Sequence, residues 1–163
     1  MITVTVPTPQ IKDSGERREF DTGAVRDIQD GKGRPSLMPL HVVASMLAAD
    51  MQYDDVMCAI AHFADTNDCL YLFHALGFFA ERYYNGSVET MLLEAAIHFE
   101  AGAEKYGENN WQKGIPVNCY LDSAIRHYLK HHRGDIDEPH DRAFVWNIMC
   151  CIWEVDYHEN KNH

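Results

Sequence analysis

Apolar positions recur at helical spacing from Leu37 onward and at no sustained spacing before it. The early segment holds one short alternation, Ile2-Val4-Val6, and is then punctuated by Pro7, Pro9, Gly15, Gly23, Gly31, Gly33 and Pro35, which predicts an irregular arm over residues 1–36. Val42, Val43, Met46 and Leu47 then fall at i, i+3 and i+4, predicting a first helix from Leu37 to Asp50. Asp54-Asp55 opens a second, carrying Val56, Ile60 and Phe63, and Thr66-Asn67-Asp68 stops it and caps a third from Leu70 to Tyr84. Asn85-Gly86 closes that helix, and Ser87 with Thr90 opens the next, which runs through Met91, Leu92, Ala95, Ala96, Phe99 and Ala103 to Tyr106. Gly107 breaks it. A connection bounded by Gly114 and Pro116 leads to a helix from Tyr120 to His132, ended by Gly134. Pro139 then sits at the first position of a last helix with Ala143, Val145, Trp146, Ile148, Met149 and Ile152 on its core face. Five or six helices joined by short connections predict an all-α bundle over residues 37–157, with a polar tail at 158–163.

Composition agrees with one folded unit: 163 residues, 46% of them hydrophobic and 24% charged, can bury a single sizeable core. No stretch is long and apolar enough to span a membrane, and Met1–Gln10 lacks the basic start and apolar run of a signal peptide, so a cytoplasmic location is expected. Fourteen Lys/Arg against 25 Asp/Glu give a formal charge of -11, which works against nucleic acid and anionic membrane as partners. A small anion held by locally clustered cations stays open. The five cysteines, with Cys150 and Cys151 adjacent and no CxxC, suggest neither a disulfide framework nor a thiolate zinc site.

Three places carry candidate chemistry. Glu100 and Glu104 lie one turn apart on a helix, a spacing that suits one hard cation such as Mg²⁺ and equally suits a solvated acidic face. They precede Lys105-Tyr106-Gly107-Glu108-Asn109-Asn110-Trp111, a helix end where a cation, amides and an indole could stack and read a base or fill core gaps. On the next helix Asp122, Arg126, Lys130 and Arg133 share one side. Arg126 suits a phosphate or an ion pair with Asp122, and the His127/His131 pair has zinc spacing without an HExxH pattern. The turn Asp135-Ile136-Asp137-Glu138 with His140 and Asp141 is densely titratable, and helix capping accounts for much of it. Gly31-Lys32-Gly33-Arg34 could fold over phosphate oxygens but lacks the P-loop framework.

As an ordered set, Phe20–Asp27 with Gly31–Arg34, Gly102–Trp111, Asp122–His127, and Gly134–His140 with Trp146-Asn147 resemble the phage and prophage family described as dATP/dGTP diphosphohydrolase, N-terminal domain. The resemblance covers roughly residues 20–155 and extends to MazG-type pyrophosphohydrolases, which are all-α, Mg²⁺-dependent and usually oligomeric. It implies cleavage of a (deoxy)nucleoside triphosphate, with purine deoxynucleotides expected, to a monophosphate and pyrophosphate. Glu100, Glu104 and Asp122 would hold Mg²⁺ or Mn²⁺, Lys105 and Arg126 would meet the phosphates, and His127 or His140 would relay a proton. Asn110 and Trp111, with Asn147, would bind the rest of the nucleotide. One departure from MazG stands out: the ExxD of its second helix is missing, which favours a phage protein that binds and sequesters a nucleotide without turnover as the alternative. Residues 51–89 look like an inserted helical pair relative to shorter members. Aromatics at Tyr71, Phe73, Phe78, Phe79, Tyr83 and Tyr84 are more than one short bundle easily covers, and predict a homodimer or a dimer of dimers.

Overall fold

The computed structural model describes residues 15–49 and 52–158, so the Ile2-Val4-Val6 alternation and most of the tail lie outside the described residues. Six α-helices form the body: α1 Leu40–Leu47, α2 Asp55–Thr66, α3 Leu70–Tyr83, α4 Val88–Tyr106, α5 Val117–Arg133 and α6 His140–Trp153. The expected all-α bundle is what the chain builds. α5 and α6 are the central pair. α4 packs on α6, α3 bridges α2 and α6, and α1 lies on α2.

Most boundaries follow local chemistry. The Asp54 side chain accepts from Met57 N at the start of α2, and the Ser87 side chain accepts from Thr90 N at the start of α4. Asn67 ends α2 in the left-handed conformation, and Gly134 ends α5 at φ 93, a region that costs glycine little. Three starts differ from the periodic reading, each at a proline. Pro39 holds α1 back to Leu40, after a 3₁₀ turn at Pro35–Leu37, because the residue before proline is pushed out of helical conformation. Pro116 and Pro139 occupy the positions just before α5 and α6, so α5 begins at Val117, three residues earlier than its apolar stripe, and α6 at His140.

The arm contains a feature the pattern did not predict: an antiparallel hairpin of β1 (Arg17–Glu19) and β2 (Val25–Asp27), in register Arg17 with Asp27 and Glu19 with Val25. Strands of three residues, reading Arg-Arg-Glu and Val-Arg-Asp, are too short and too charged to show an alternation.

Tyr120, Tyr128, Phe63, Phe79 and Phe144 are among the largest fully buried side chains. Burying the Tyr128 hydroxyl requires a partner, and Asp54 supplies it: its carboxylate accepts from Tyr128 Oη at 2.7 Å and from Arg82 Nη1 at 2.7 Å. Arg82 also reaches Asp55, so one buried network ties α2, α3 and α5 together. On α3, Leu72, Ala75, Leu76, Phe79 and Ala80 face the core, whereas Phe73 and Phe78 stay exposed. This helix is therefore central packing along one face and bare aromatic surface along another.

Candidate active site

The hairpin is docked on the bundle by polar bonds rather than by an apolar stripe. Buried Asn110, in a 3₁₀ turn after α4, pairs with Val25 in both directions: Nδ2 donates to Val25 O at 2.8 Å and Oδ1 accepts from Val25 N at 2.8 Å. Thr22 Oγ1 donates to Gly114 O at 2.8 Å. Further along the arm, fully buried Asp122 of α5 accepts from Ser36 N at 2.8 Å, Gln29 Nε2 at 3.2 Å and Arg34 Nε at 3.4 Å, and Arg126 Nη1 donates to Gly33 O at 2.9 Å.

Between the docked arm and helices α4, α5 and α6 lies a cavity of about 380 Å³. Its lining includes Arg18, Arg26, Lys32, Arg126 and Lys130, opposed by Asp27 and Glu138. Among the described residues no carboxylate forms an ion pair with Arg18, Arg26, Arg126 or Lys130. Asp27 is occupied elsewhere, by Arg17 Nη1 at 3.0 Å and Lys105 Nζ at 2.7 Å. In a chain with a formal charge of -11, this is a concentrated positive site. Burial holds the Arg126 guanidinium below its ordinary range despite nearby Asp122, and partial desolvation does the same to the Lys32 ammonium despite Asp27.

Arg26 reaches in from β2. Its Nη2 donates to Asn147 Oδ1 at 3.0 Å and Ser123 Oγ at 3.2 Å, and its guanidinium lies over the Tyr120 and Trp146 rings. Its Nη1 is buried without a partner, as are Arg18 Nε and His98 Nδ1. Arg26, Arg18 and His98 all line the one cavity, so three polar groups with an unpaired buried atom among the described residues gather around it, where buried donors are ordinarily satisfied. Burial, then Arg142 and Arg26, lower the His98 pKa to about 4, so that ring is neutral near pH 7.

At one edge of the cavity three metal-ligand side chains converge. His127 Nδ1 and His140 Nδ1 are 2.9 Å apart, and Glu138 Oε1 lies 3.6 Å from the first and 3.4 Å from the second. His140 is buried, and its other nitrogen, Nε2, is 2.7 Å from Asp137 Oδ1. Burial first, and His140 next, hold His127 well below the ordinary histidine range. A second group, Asp135, Asp137 and His140, shares His140, but Asp135 is engaged by Arg133. A third, His41, Cys58 and His62, sits on α1 and α2 away from the cavity lining.

The residues expected from sequence are thus distributed. Arg126, His127, Asn110 and Asn147 line the cavity, the last two chiefly as struts for the hairpin and for Arg26. Lys105 stands behind it on Asp27. Trp111 is on a different surface, an apolar groove with Phe99, Met149 and Trp153, and is packed edge-on against Phe99 and Trp153. Trp146 and Tyr106 take its place as the cavity's aromatic lining. Glu100 and Glu104 are exposed on α4, about 200° round the helix from His98 and Gly102, which face the cavity. With Asp122 they form no cluster of ligand atoms among the described residues. Sequence reasoning gave no role to Arg18, Arg26 and His98, and it named Lys130 and Glu138 only within a charged helix side and an acidic turn. Lys130 was visible as the next turn after Arg126, whereas Arg18 and Arg26 need the hairpin to be placed.

Residues 84–163 match the family described as dATP/dGTP diphosphohydrolase, N-terminal. This family segment supplies α4, α5, α6 and the turn at Glu138, hence the helical walls of the cavity and the His127–Glu138–His140 group. The resemblance read from sequence is supported over that segment, while the hairpin and the Gly31–Arg34 loop precede it. No curated protein and no solved structure matches the chain.

Proposed function

We propose that the cavity binds the phosphates of a nucleoside triphosphate and that the chain hydrolyses it to a monophosphate and pyrophosphate, purine deoxynucleotides being the expected substrates. The observation that carries this reading is the set of cations gathered without carboxylate partners, together with buried guanidinium nitrogens that have no acceptor. Phosphate oxygens suit such a set, because a planar guanidinium donates to two of them in parallel. Arg26 is fixed by Asn147 and Ser123, which hold its guanidinium on the cavity lining, and Arg126 is fixed by Gly33 and Ser123. Lys130 and Lys32 complete the charge around the phosphate chain, and neutral His98 offers a ring nitrogen to the sugar or base. In the reaction a water oxygen bonds to the α-phosphorus, the bond from that phosphorus to the bridging oxygen breaks, and pyrophosphate leaves with the electron pair. The cations offset the charge that grows on the leaving group. A divalent cation, the cofactor expected for this chemistry, supplies further charge neutralisation and a more acidic bound water when present.

The test is a panel of dNTPs and NTPs incubated with the protein in Mg²⁺ or Mn²⁺ and in chelator, with products resolved by ion exchange. Metal-dependent release of pyrophosphate with monophosphate is expected. Stoichiometric binding of unchanged nucleotide would instead select sequestration, the reading favoured by Glu100, Glu104 and Asp122 standing apart. Arg26→Met that binds nucleotide as the wild type does would remove this cavity as the nucleotide site.

A further inference from the structure

We infer that His127, Glu138 and His140 form a binding site for a divalent transition-metal ion, of the Mn²⁺, Co²⁺ or Zn²⁺ class, on the wall of the basic cavity. The site's use in catalysis rests on the nucleotide reading above; its existence does not. The carboxylates expected from sequence do not fit a shared ion in this fold. Glu100 and Glu104 point away from the cavity, and Asp122 is committed to Ser36, Gln29 and Arg34.

The three donor atoms form a triangle with edges of 2.9, 3.4 and 3.6 Å. An ion bonded to two ligands at about 2.1 Å separates them by about 3.0 Å in octahedral and about 3.4 Å in tetrahedral geometry, so the triangle already has coordination dimensions. The second nitrogen of His140 completes the argument. Nε2 lies against the Asp137 carboxylate, which accepts, so Nε2 carries a proton and Nδ1 is the ring nitrogen left to bind an ion. This carboxylate–histidine arrangement is the usual support of a metal-binding imidazole. In the ion-free protein a proton on one of the two Nδ1 atoms spans the 2.9 Å contact, and binding an ion displaces it.

Two imidazoles and one carboxylate also set the preference. Imidazole suits Mn²⁺, Co²⁺ and Zn²⁺ better than Mg²⁺, which favours oxygen ligands and keeps its waters. His127 and Glu138 both line the cavity, so an ion there would share the wall with Arg126 and Lys130. The alternative position on the far side of His140 would compete with Arg133 for Asp135 and is shut off from the cavity lining.

The experiment titrates the metal-stripped protein with Mn²⁺, read by the loss of the free-ion signal in electron paramagnetic resonance, and with Zn²⁺, read by the ring ¹⁵N shifts of the histidines. Zn²⁺ is expected to leave both His127 and His140 as Nε2–H tautomers with Nδ1 on the ion. Glu138→Gln and His127→Gln are each expected to weaken Mn²⁺ binding at least tenfold with unchanged circular dichroism, whereas Glu104→Gln leaves it as in the wild type. Co²⁺ separates the site from the α1–α2 group, because only an ion on Cys58 gives a thiolate charge-transfer band. Wild-type Mn²⁺ affinity in both Glu138→Gln and His127→Gln, or loss of affinity in Glu104→Gln, overturns the inference. Metal binding as expected in a protein that binds no nucleotide upholds the site and removes the proposed function instead.

Discussion

Asn110→Ala separates two roles for one amide. In the structure Asn110 is 4% exposed and exchanges two hydrogen bonds of 2.8 Å with the Val25 backbone. Each neutral bond contributes about 0.5–1.5 kcal/mol, and a buried backbone group left without a partner costs about 1–3 kcal/mol. Val25 is half-buried, so water reaches part of the vacated site, and the expected destabilisation is about 2–4 kcal/mol rather than the sum of the upper limits. For a chain of this size that is a fall in Tm of about 4–16 °C. Urea unfolding followed by tryptophan fluorescence measures the loss, and hydrogen exchange of the segment 17–27 locates it at the hairpin. Nucleotide affinity should fall with it, because Arg18 and Arg26 reach the cavity on those strands. Wild-type stability and wild-type protection, with only the preference among bases altered, would refute the clamp and return Asn110 to base reading.

Arg82→Met removes the cation that Asp54 and Tyr128 share, leaving a buried carboxylate, and is expected to cost about 3–5 kcal/mol in urea unfolding; a loss under 1 kcal/mol would show the network to be dispensable. His98 is neutral in the folded chain down to about pH 4 and takes a proton in the unfolded chain below about 6.5, so its contribution is complete above 6.5 and declines as pH falls toward 4, by about 3 kcal/mol in all. His98→Gln should flatten the stability profile between those limits relative to the wild type, and parallel profiles would refute the assignment. Self-association through the exposed Phe73 and Phe78 face of α3 predicts a light-scattering mass that is a multiple of 18.7 kDa, reduced by Phe78→Glu; a wild-type mass of 18.7 kDa would refute it.

The helices were legible because their information is local. Ser87, Asp54, Gly107 and Gly134 mark ends through caps and positive φ, and the apolar stripes of α2 to α6 repeat often enough to be read. What escaped the sequence depends on contacts between distant segments. β1 and β2 exist because Asn110, 85 residues beyond Val25, satisfies a backbone that three-residue strands leave half unpaired. Asp122 reads as a candidate metal ligand until the arm folds over it and takes both oxygens. Glu100 and Glu104 share a face, as their spacing requires, but only the packing of α4 on α6 determines that His98 and Gly102 look into the cavity instead. Glu138 was read as part of a helix cap, and its role depends on His127 from the preceding helix.

The way the arm is attached has a consequence for how the protein responds to its ligand. Docking brings Arg18, Arg26 and Lys32 of the arm to the same cavity as Arg126 and Lys130, so like charges gather there while Asn110, Thr22, the bonds to Asp122 and the Asp27–Lys105 pair hold the arm in place. An anion between the two reverses the sign of that interaction. Arm closure and anion capture are then one coupled equilibrium, and the coupling acts equally in both directions. An anion that fills the cavity would therefore tighten the arm, and a substitution that loosens the arm would lower anion affinity by the same factor.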